Sequence, residues 1–293
     1  MTGIIIADKP EGWTSHDVIA KLRGALRERR IGHGGTLDPM ATGVLPLFIG
    51  RATRAVEFAM SSDKEYIAGL RLGLTTDTQD ITGTLLTSRE ALVGDEQLRE
   101  ALKHFTGEQL QLPPMYSAIK KDGKRLYQLA RQGLETERAP RPITVYSLEL
   151  VGRVDGDYYL KIVCSKGTYV RTLCADIGEY LGCGGVMSSL RRTRVGSLRI
   201  LAARGVDQIV YAAQNGGLDS ILLPVDSFFH SFPAVTVDAS CEHRCKSGAS
   251  FNCPGAPDGR YRVYSESGEF LMLGDSEGGR MRIGKTFFEA PGR

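Results

Sequence analysis

Residues 32 to 50 read Gly32-His33-Gly34-Gly35-Thr36-Leu37-Asp38-Pro39-Met40-Ala41-Thr42-Gly43-Val44-Leu45-Pro46-Leu47-Phe48-Ile49-Gly50. The first half is glycine, small polar residues and proline, a composition that turns the backbone tightly and repeats neither a helical nor a strand period. It carries a single carboxylate, Asp38, and the Pro39 that follows disfavours the α region there, leaving the aspartate extended or in a turn. The apolar run Val44 to Ile49 predicts a buried strand that holds the loop from behind. Loops of this kind often carry chemistry, and a structural Asx turn before a strand is the other reading of the same residues.

Upstream, Gly3 to Ala7 predicts a first strand and Lys9 to Ser15 a turn. Thr14 or Ser15 then caps a helix reaching about Arg30, with Val18, Ile19, Leu22 and Leu26 inward. Downstream, a short helix is expected over Ala52 to Met60. Lys64 to Gly73 alternates as a strand, with Tyr66, Leu70 and Leu72 on one face. Thr75 to Asp80 reads as a polar turn, Gly83 to Thr87 as a strand, Asp95 to Phe105 as a helix and Arg125 to Gln132 as a short helix. Ile143 to Arg153 and Tyr158 to Ser165 predict paired strands. Lys166-Gly167-Thr168 then opens a helix with Val170, Leu173, Ile177 and Leu181 in register. Arg171 falls in its first turn, where a cation opposes the helix macrodipole, so a nearby carboxylate or phosphate is expected. Val186 to Leu201 reads as strand, basic turn and strand, and Val206 to Asn215 as a helix. Ser227 to Pro233 marks a boundary. Beyond it, short glycine-split strands with no helix suit a small β-barrel-like module.

A chain of 293 residues, 42% hydrophobic and 24% charged, has the composition of an ordinary globular protein with room for a second, smaller domain. Its apolar runs are too short to span a bilayer or form a signal peptide, and six irregularly spaced cysteines suit reduced thiols, so a cytoplasmic protein without a leader is expected. Cys241, His243, Cys245 and Cys253 cluster, but their spacing lacks the two-residue gap of common zinc knuckles, and no metal site is expected there. Residues 233 to 293 contain as many acidic as basic residues, so the net charge of +3 falls on residues 1 to 232. Locally basic segments lie at Ala20 to His33, Ser117 to Arg131 and Val186 to Arg199. Brought to one side they would form a phosphate-binding surface, and left apart they are solvated faces.

Walker A, dinucleotide, Gly-x-Ser-x-Gly and His-Glu-x-x-His motifs are absent, which removes the commoner cofactor and hydrolase readings. What remains is a loop carboxylate, a tyrosine on a strand, an arginine at a helix start and a basic surface, a set compatible with covalent catalysis on nucleic acid. Several segments match one known family in order. They are Asp8-Lys9-Pro10-x-Gly12-x-Thr14-Ser15, Gly32-His33-x-Gly35-Thr36-Leu37-Asp38-Pro39-x-Ala41-Thr42-Gly43, and Lys64-x-Tyr66 with Leu72-Gly73-x-x-Thr76-Asp77-Thr78. Pro113-Pro114-x-Tyr116-Ser117-Ala118-x-Lys120 follows, then Ser165 to Leu173 with Leu190-Arg191-Arg192-Thr193. Over residues 3 to 205 the chain resembles the TruB family of stand-alone tRNA pseudouridine-55 synthases, while residues 233 to 290 look only loosely like its small PUA-type domain. Gly34 stands where a threonine is usual and Arg54 where a lysine is usual.

The resemblance implies an α+β catalytic domain on a mixed, mainly antiparallel sheet (1–232) and a β-rich PUA-like RNA-binding domain (233–293). It implies isomerisation of a T-arm uridine of tRNA to pseudouridine by a monomer needing neither metal nor organic cofactor. By resemblance Asp38 is the catalytic aspartate, Tyr66 stacks on the target base, Arg171 pairs with Asp38, and Leu190 walls the pocket. His33 approaches the space the flipped nucleotide leaves, and Lys9, Tyr169, Lys120 and Arg191 join the substrate-binding set. Arg171 is expected to lower the pKa of Asp38. The rival readings are a non-catalytic tRNA-binding protein or folding chaperone on the same scaffold, and a nucleoside hydrolase.

Overall fold

A computed structural model of the chain describes residues 1–117, 119–121, 123–130 and 132–289, with Lys120, Lys121 and Arg125 described as backbone only. From the N-terminus come β1 (Gly3–Lys9), α1 (Ser15–Leu26), β2 (Ile31–His33), β3 (Thr42–Ile49), α2 (Val56–Ser61) and β4 (Lys64–Leu72). A ribbon of β5 (Leu74–Thr76) and β6 (Leu85–Ser88) precedes α3 (Asp95–His104) and β7 (Gly107–Gln111). A second small ribbon, β8 (Lys120–Lys121) with β9 (Lys124–Arg125), leads into α4 (Leu126–Ala130). The hairpin of β10 (Arg141–Val154) and β11 (Asp157–Cys164) is followed by α5 (Val170–Tyr180), β12 (Gly185–Val195), β13 (Leu198–Arg199), β14 (Arg204–Gly205) and α6 (Val206–Gln214). The last part holds β15 (Ala234–Val237), α7 (Ala239–Lys246), β16 (Phe251–Asn252), β17 (Gly259–Ser265), β18 (Phe270–Glu277) and β19 (Arg280–Thr286).

Ten strands make one mixed sheet in the order β14-β1-β3-β12-β4-β11-β10-β7, with β2 added on β3 and β13 on β12. Its pairs are antiparallel except β1 with β14 and β3 with β12, so the chain is an α+β protein on a mainly antiparallel sheet. Alternation along β1 and β3 sends Ile5, Ala7, Leu45 and Leu47 to α1 and α6, and Ile4, Ile6, Val44 and Phe48 to the opposite side. The other half of the sheet is covered by α3 and α5, whose Leu98, Leu102, Leu173 and Ile177 meet Leu70, Leu160 and Ile162.

The two halves meet at a narrow join: β3 and β12 pair through Thr42 with Arg191 and Gly43 with Arg192. Gly43 has φ +100°, and a Cβ there would lie 2.2 Å from the Arg192 carbonyl oxygen, so the crossing admits glycine alone. The loop carrying Asp38 leaves β2 and enters β3 over this join.

Three features differ from the sequence expectation. The basic stretch Arg191 to Arg194 is not a turn but continues β12, and the chain reverses only at Gly196 (φ 54°), where no side chain opposes a left-handed backbone. The first helix stops at Leu26 instead of about Arg30, because Arg27 turns left-handed (φ 50°) and its N–H bonds back to the Arg23 carbonyl, freeing the chain for β2. The tail expected to lack helices contains α7, capped by Asp238, whose carboxylate accepts the Cys241 N–H at 2.8 Å. Of its eight residues Cys245 alone is buried, so no apolar stripe betrayed it. Cys241 and Cys253 are half-buried, and among the described residues no three His, Cys, Asp or Glu side chains gather as a metal site.

The second sheet, ordered β15-β17-β18-β19-β16, comes wholly from residues after 233. It rests on the first through Phe228 and Phe229, which join Phe48, Ala52 and Ala55 to Leu273 and Phe287. Arg54, which stands at the position where a lysine is usual, donates to the Thr286 carbonyl at 3.0 Å and its hydroxyl at 2.9 Å, tying the two units together. Gly34 is also accounted for, since a Cβ there would meet the Ala59 methyl at 2.7 Å. No helix among the described residues is long and apolar enough to cross a membrane. Phe229 is 2% exposed and packs against the rings of Phe58, Phe228, Phe270 and Phe287. Phe229→Ala is expected to remove about 3–5 kcal/mol of stability in urea unfolding. A loss below about 1 kcal/mol would mean that the two sheets do not share this core.

Candidate active site

The loop from Gly34 to Ala41 makes few hydrogen bonds with itself and is held by its surroundings. Gly34 N–H donates to the Pro46 carbonyl at 2.9 Å, and Leu37 N–H donates to the hydroxyl of buried Ser15, also at 2.9 Å. Pro39 presents its carbonyl to the Gly12 N–H at 2.9 Å and to the Lys9 ammonium at 3.1 Å. From below, Arg192 donates to the carbonyls of Gly35 (2.9 Å), Thr36 (3.3 Å) and Val44 (2.8 Å). With its neighbours anchored in this way, the loop aims the Asp38 side chain, 39% exposed, into a cavity of about 930 Å³.

Arg171 meets Asp38 inside that cavity. Its Nη2 lies 3.1 Å from Asp38 Oδ2 and donates to the Tyr116 carbonyl at 2.7 Å, while its Nη1 lies 3.6 Å from Asp80 Oδ2. The cation expected to need a partner at the start of α5 has two carboxylates. Asp80, at the end of the polar turn expected over Thr75 to Asp80, is 4% exposed and also accepts from the Thr78 and Thr82 hydroxyls and the Thr82 N–H. The signal available for it was the alternation Thr78-x-Asp80-x-Thr82, two hydroxyls flanking one acid.

Asp38 does not follow the expected shift. Burial, the largest influence, raises its pKa above the ordinary 3.8 and outweighs the lowering by Arg171 and Lys9, and the nearby Asp80 charge adds to the rise. The ion pair therefore aims the carboxylate more than it acidifies it.

Tyr66 (8% exposed) and Leu190 (9%) project from adjacent strands β4 and β12 into the same cavity, and Tyr169, the residue capping α5, closes another side. The Tyr169 backbone is clamped by Gln111, which accepts its N–H at 2.8 Å and donates to its carbonyl at 3.0 Å. Burial raises the Tyr66 and Tyr169 phenols, so both are neutral hydroxyls at neutral pH.

His33, Lys9 and Arg191 lie outside the cavity lining. His33 accepts the Gly35 N–H at Nδ1 (3.3 Å), and its pKa is lowered first by burial and then by Arg192. Lys9 is fully buried and donates to Pro10, Trp13 and Pro39 carbonyls, a brace under the loop; burial lowers its amine to about 8. Arg191 pairs with Asp8 at 2.7 Å and donates to Thr42 at 3.2 Å. The Lys120 side chain lies outside the described residues. Lys64, which the sequence reading placed only within a motif, lines the cavity and donates to the Ala59, Met60 and Ser62 carbonyls at the end of α2.

A loop carboxylate paired with a buried arginine, facing a tyrosine and a leucine across one cavity, is an arrangement that can direct an anion at a bound group while keeping apolar walls around it. The profile of the TruB family pseudouridylate synthase N-terminal domain matches residues 23–170, and that of the tRNA pseudouridylate synthase B C-terminal domain matches residues 171–230. Proteins named tRNA pseudouridine synthase B are 43% identical in Aromatoleum aromaticum, covering 94% of this chain and 89% of theirs, and 39% identical in Clostridium kluyveri, covering 98% and 100%. Among solved structures, a chain of a Cbf5-Nop10-Gar1 complex aligns with TM-score 0.75 at 27% identity, covering 98% of this chain and 85% of that one. A chain of an H/ACA RNP bound to a substrate RNA containing 2'-deoxyuridine aligns with TM-score 0.74 at 26% identity, covering 98% and 86%. The chain belongs to the TruB family of pseudouridylate synthases. It is an isomerase.

For a reaction carried by ionised Asp38, whose folded pKa is raised, the acid limb of the single-turnover rate against pH is expected above the ordinary 3.8. Asp80→Asn removes a neighbouring negative charge and leaves Arg171 to Asp38, so the limb should move to lower pH whatever happens to the plateau. A limb that stays in place or rises would mean that the Asp80 charge does not bear on the ionisation of Asp38.

Proposed function

We propose that the protein converts the uridine at position 55, in the T arm of tRNA, into pseudouridine, acting as a monomer in the cytoplasm. Residues 1–232 form the catalytic domain and residues 233–293 an RNA-binding module. The observation that carries this reading is the Asp38 carboxylate held 3.1 Å from Arg171 in a cavity walled by Tyr66 and Leu190.

The reaction breaks the bond from N1 to the sugar, turns the base and joins C5 to the same sugar carbon. The detached uracil must stay in place and away from water between the two steps. Tyr66 and Leu190 offer the base a flat apolar slot, and neither has a group that would trap it. Asp38 acts at the ribose, with Arg171 fixing the direction of its oxygens and Asp80 fixing Arg171. Tyr169 and its Gln111 clamp set the depth to which the everted nucleotide enters. Extruding a base from a folded arm costs a few kcal/mol, which contacts between phosphates and the basic segments offset. Lys120 and Arg191 belong to that surface, Lys9 and His33 to the support and rim of the loop.

Asp38→Asn is expected to reduce pseudouridine formation on an unmodified tRNA transcript by about ten-thousand-fold or more. Affinity for the tRNA should stay within about tenfold, because phosphate contacts dominate it. Bound but unchanged RNA with the wild-type protein would favour a binding protein, and free uracil with an abasic site would favour a hydrolase. A hairpin comprising the T arm alone should be converted at a rate within about tenfold of the full tRNA, since the arm brings its own phosphates and target base. A hairpin left unmodified at saturating protein would remove the T-arm assignment while leaving the isomerase.

A further inference from the structure

Arg192 is 1% exposed, and among the described residues no carboxylate pairs with it. Three of its five N–H groups are engaged by the Gly35, Thr36 and Val44 carbonyls. A buried cation facing carbonyl dipoles and the Tyr66 side chain, with no carboxylate counter-ion among the described residues, keeps a large field, and its surroundings define where that field falls. On β12 and β4, Arg192 stands directly opposite Tyr66 in antiparallel register, which places the two side chains on the same face at adjacent positions. Its Nη1 also lies 3.5 Å from where a Gly35 Cβ would be, so the guanidinium packs against the aspartate loop.

We propose that Arg192 is a positioning residue for the isomerisation, joining the Asp38 loop to the Tyr66 hydroxyl and supplying the positive charge beside that hydroxyl while it exchanges protons. The inference rests on the proposed pseudouridine synthesis at this site. Once C5 has joined the sugar carbon, the base must lose the C5 proton and gain one at N1. The Tyr66 hydroxyl can serve both ends. The C5–H pair becomes the C5–C6 double bond, the C6–N1 pair takes the phenol proton, and the C5 proton restores the hydroxyl. Partial negative charge appears on the phenol oxygen in that exchange, and the remaining guanidinium N–H groups are the nearest cationic donors on the neighbouring strand. Burial raises the phenol's pKa and Arg192 is the largest influence in the other direction.

The test is a double-mutant cycle on single-turnover pseudouridine formation with full-length protein and unmodified tRNA, with tRNA affinity and thermal unfolding measured in parallel. Arg192→Gln is expected to slow turnover about a hundredfold while affinity stays within about threefold, with Arg192→Lys recovering part of the rate. In the Tyr66→Phe background the loss from Arg192→Gln should be at least about tenfold smaller, because the contribution made through the loop is common to both backgrounds and cancels in the cycle. Equal losses in both backgrounds, an unchanged rate, or a loss lying wholly in affinity would overturn the proposal. If Arg192→Gln does not fold, Arg192→Lys carries the same cycle. Wild-type protein that makes no pseudouridine would instead sink the functional reading on which the proposal stands.

Discussion

Arg171 held between Asp38 and Asp80 is the interaction on which this site depends. A single carboxylate in a cleft lined by tyrosine and leucine is penalised by lost hydration, and one neighbouring guanidinium stabilises it. A guanidinium at the start of a helix is itself badly placed, and the buried Asp80 behind it compensates. The result is a triad of charges in which each member makes the next tolerable. Asp38 still ionises less readily than in water, so its charge costs the fold stability above the ordinary carboxylate range, a cost relieved as pH falls through the raised value. The fold tolerates that cost where the proposed chemistry needs a directed anion.

Around the triad, buried cations serve as mechanical parts. Lys9, Lys64 and Arg192 each donate to three backbone carbonyls. Each gathers chain segments that have no regular structure of their own: the turn after β1, the end of α2, and the loop before β3. An irregular loop cannot satisfy its carbonyls through a helix or a ladder, and a multi-donor cation does so at one point. This explains how a glycine-rich loop, entropically costly to order, holds one carboxylate in a fixed direction.

The narrow join between β3 and β12 gives the site its place. Where two sheet halves meet through two residue pairs, the strands diverge and leave a cleft that side chains from both halves can reach. Asp38 comes from one side of it and Tyr66, Leu190 and Arg171 from the other. Gly43 marks the closest approach of the backbones, and its lack of a side chain is a condition of the cleft's geometry.

Much of this was legible in the linear order of residues. Alternation in Lys64 to Leu72 put Tyr66 inward, the apolar run at Val44 to Ile49 is a buried strand, and an arginine in the first turn of a helix announced a missing anion. These readings succeed because period and local backbone preference are properties of neighbouring residues. The chain alone did not disclose that Asp80 is the second anion, that Lys9 lies beneath the loop, or that Arg192 stands across from Tyr66. Nor did it disclose α7, whose single buried residue leaves no stripe. Nor could it foretell the sign of the Asp38 shift, which is a balance between a nearby charge and the loss of water. Partners separated by thirty to more than a hundred positions meet only when the sheet closes, and how much water a carboxylate loses is fixed only once the walls around it have assembled.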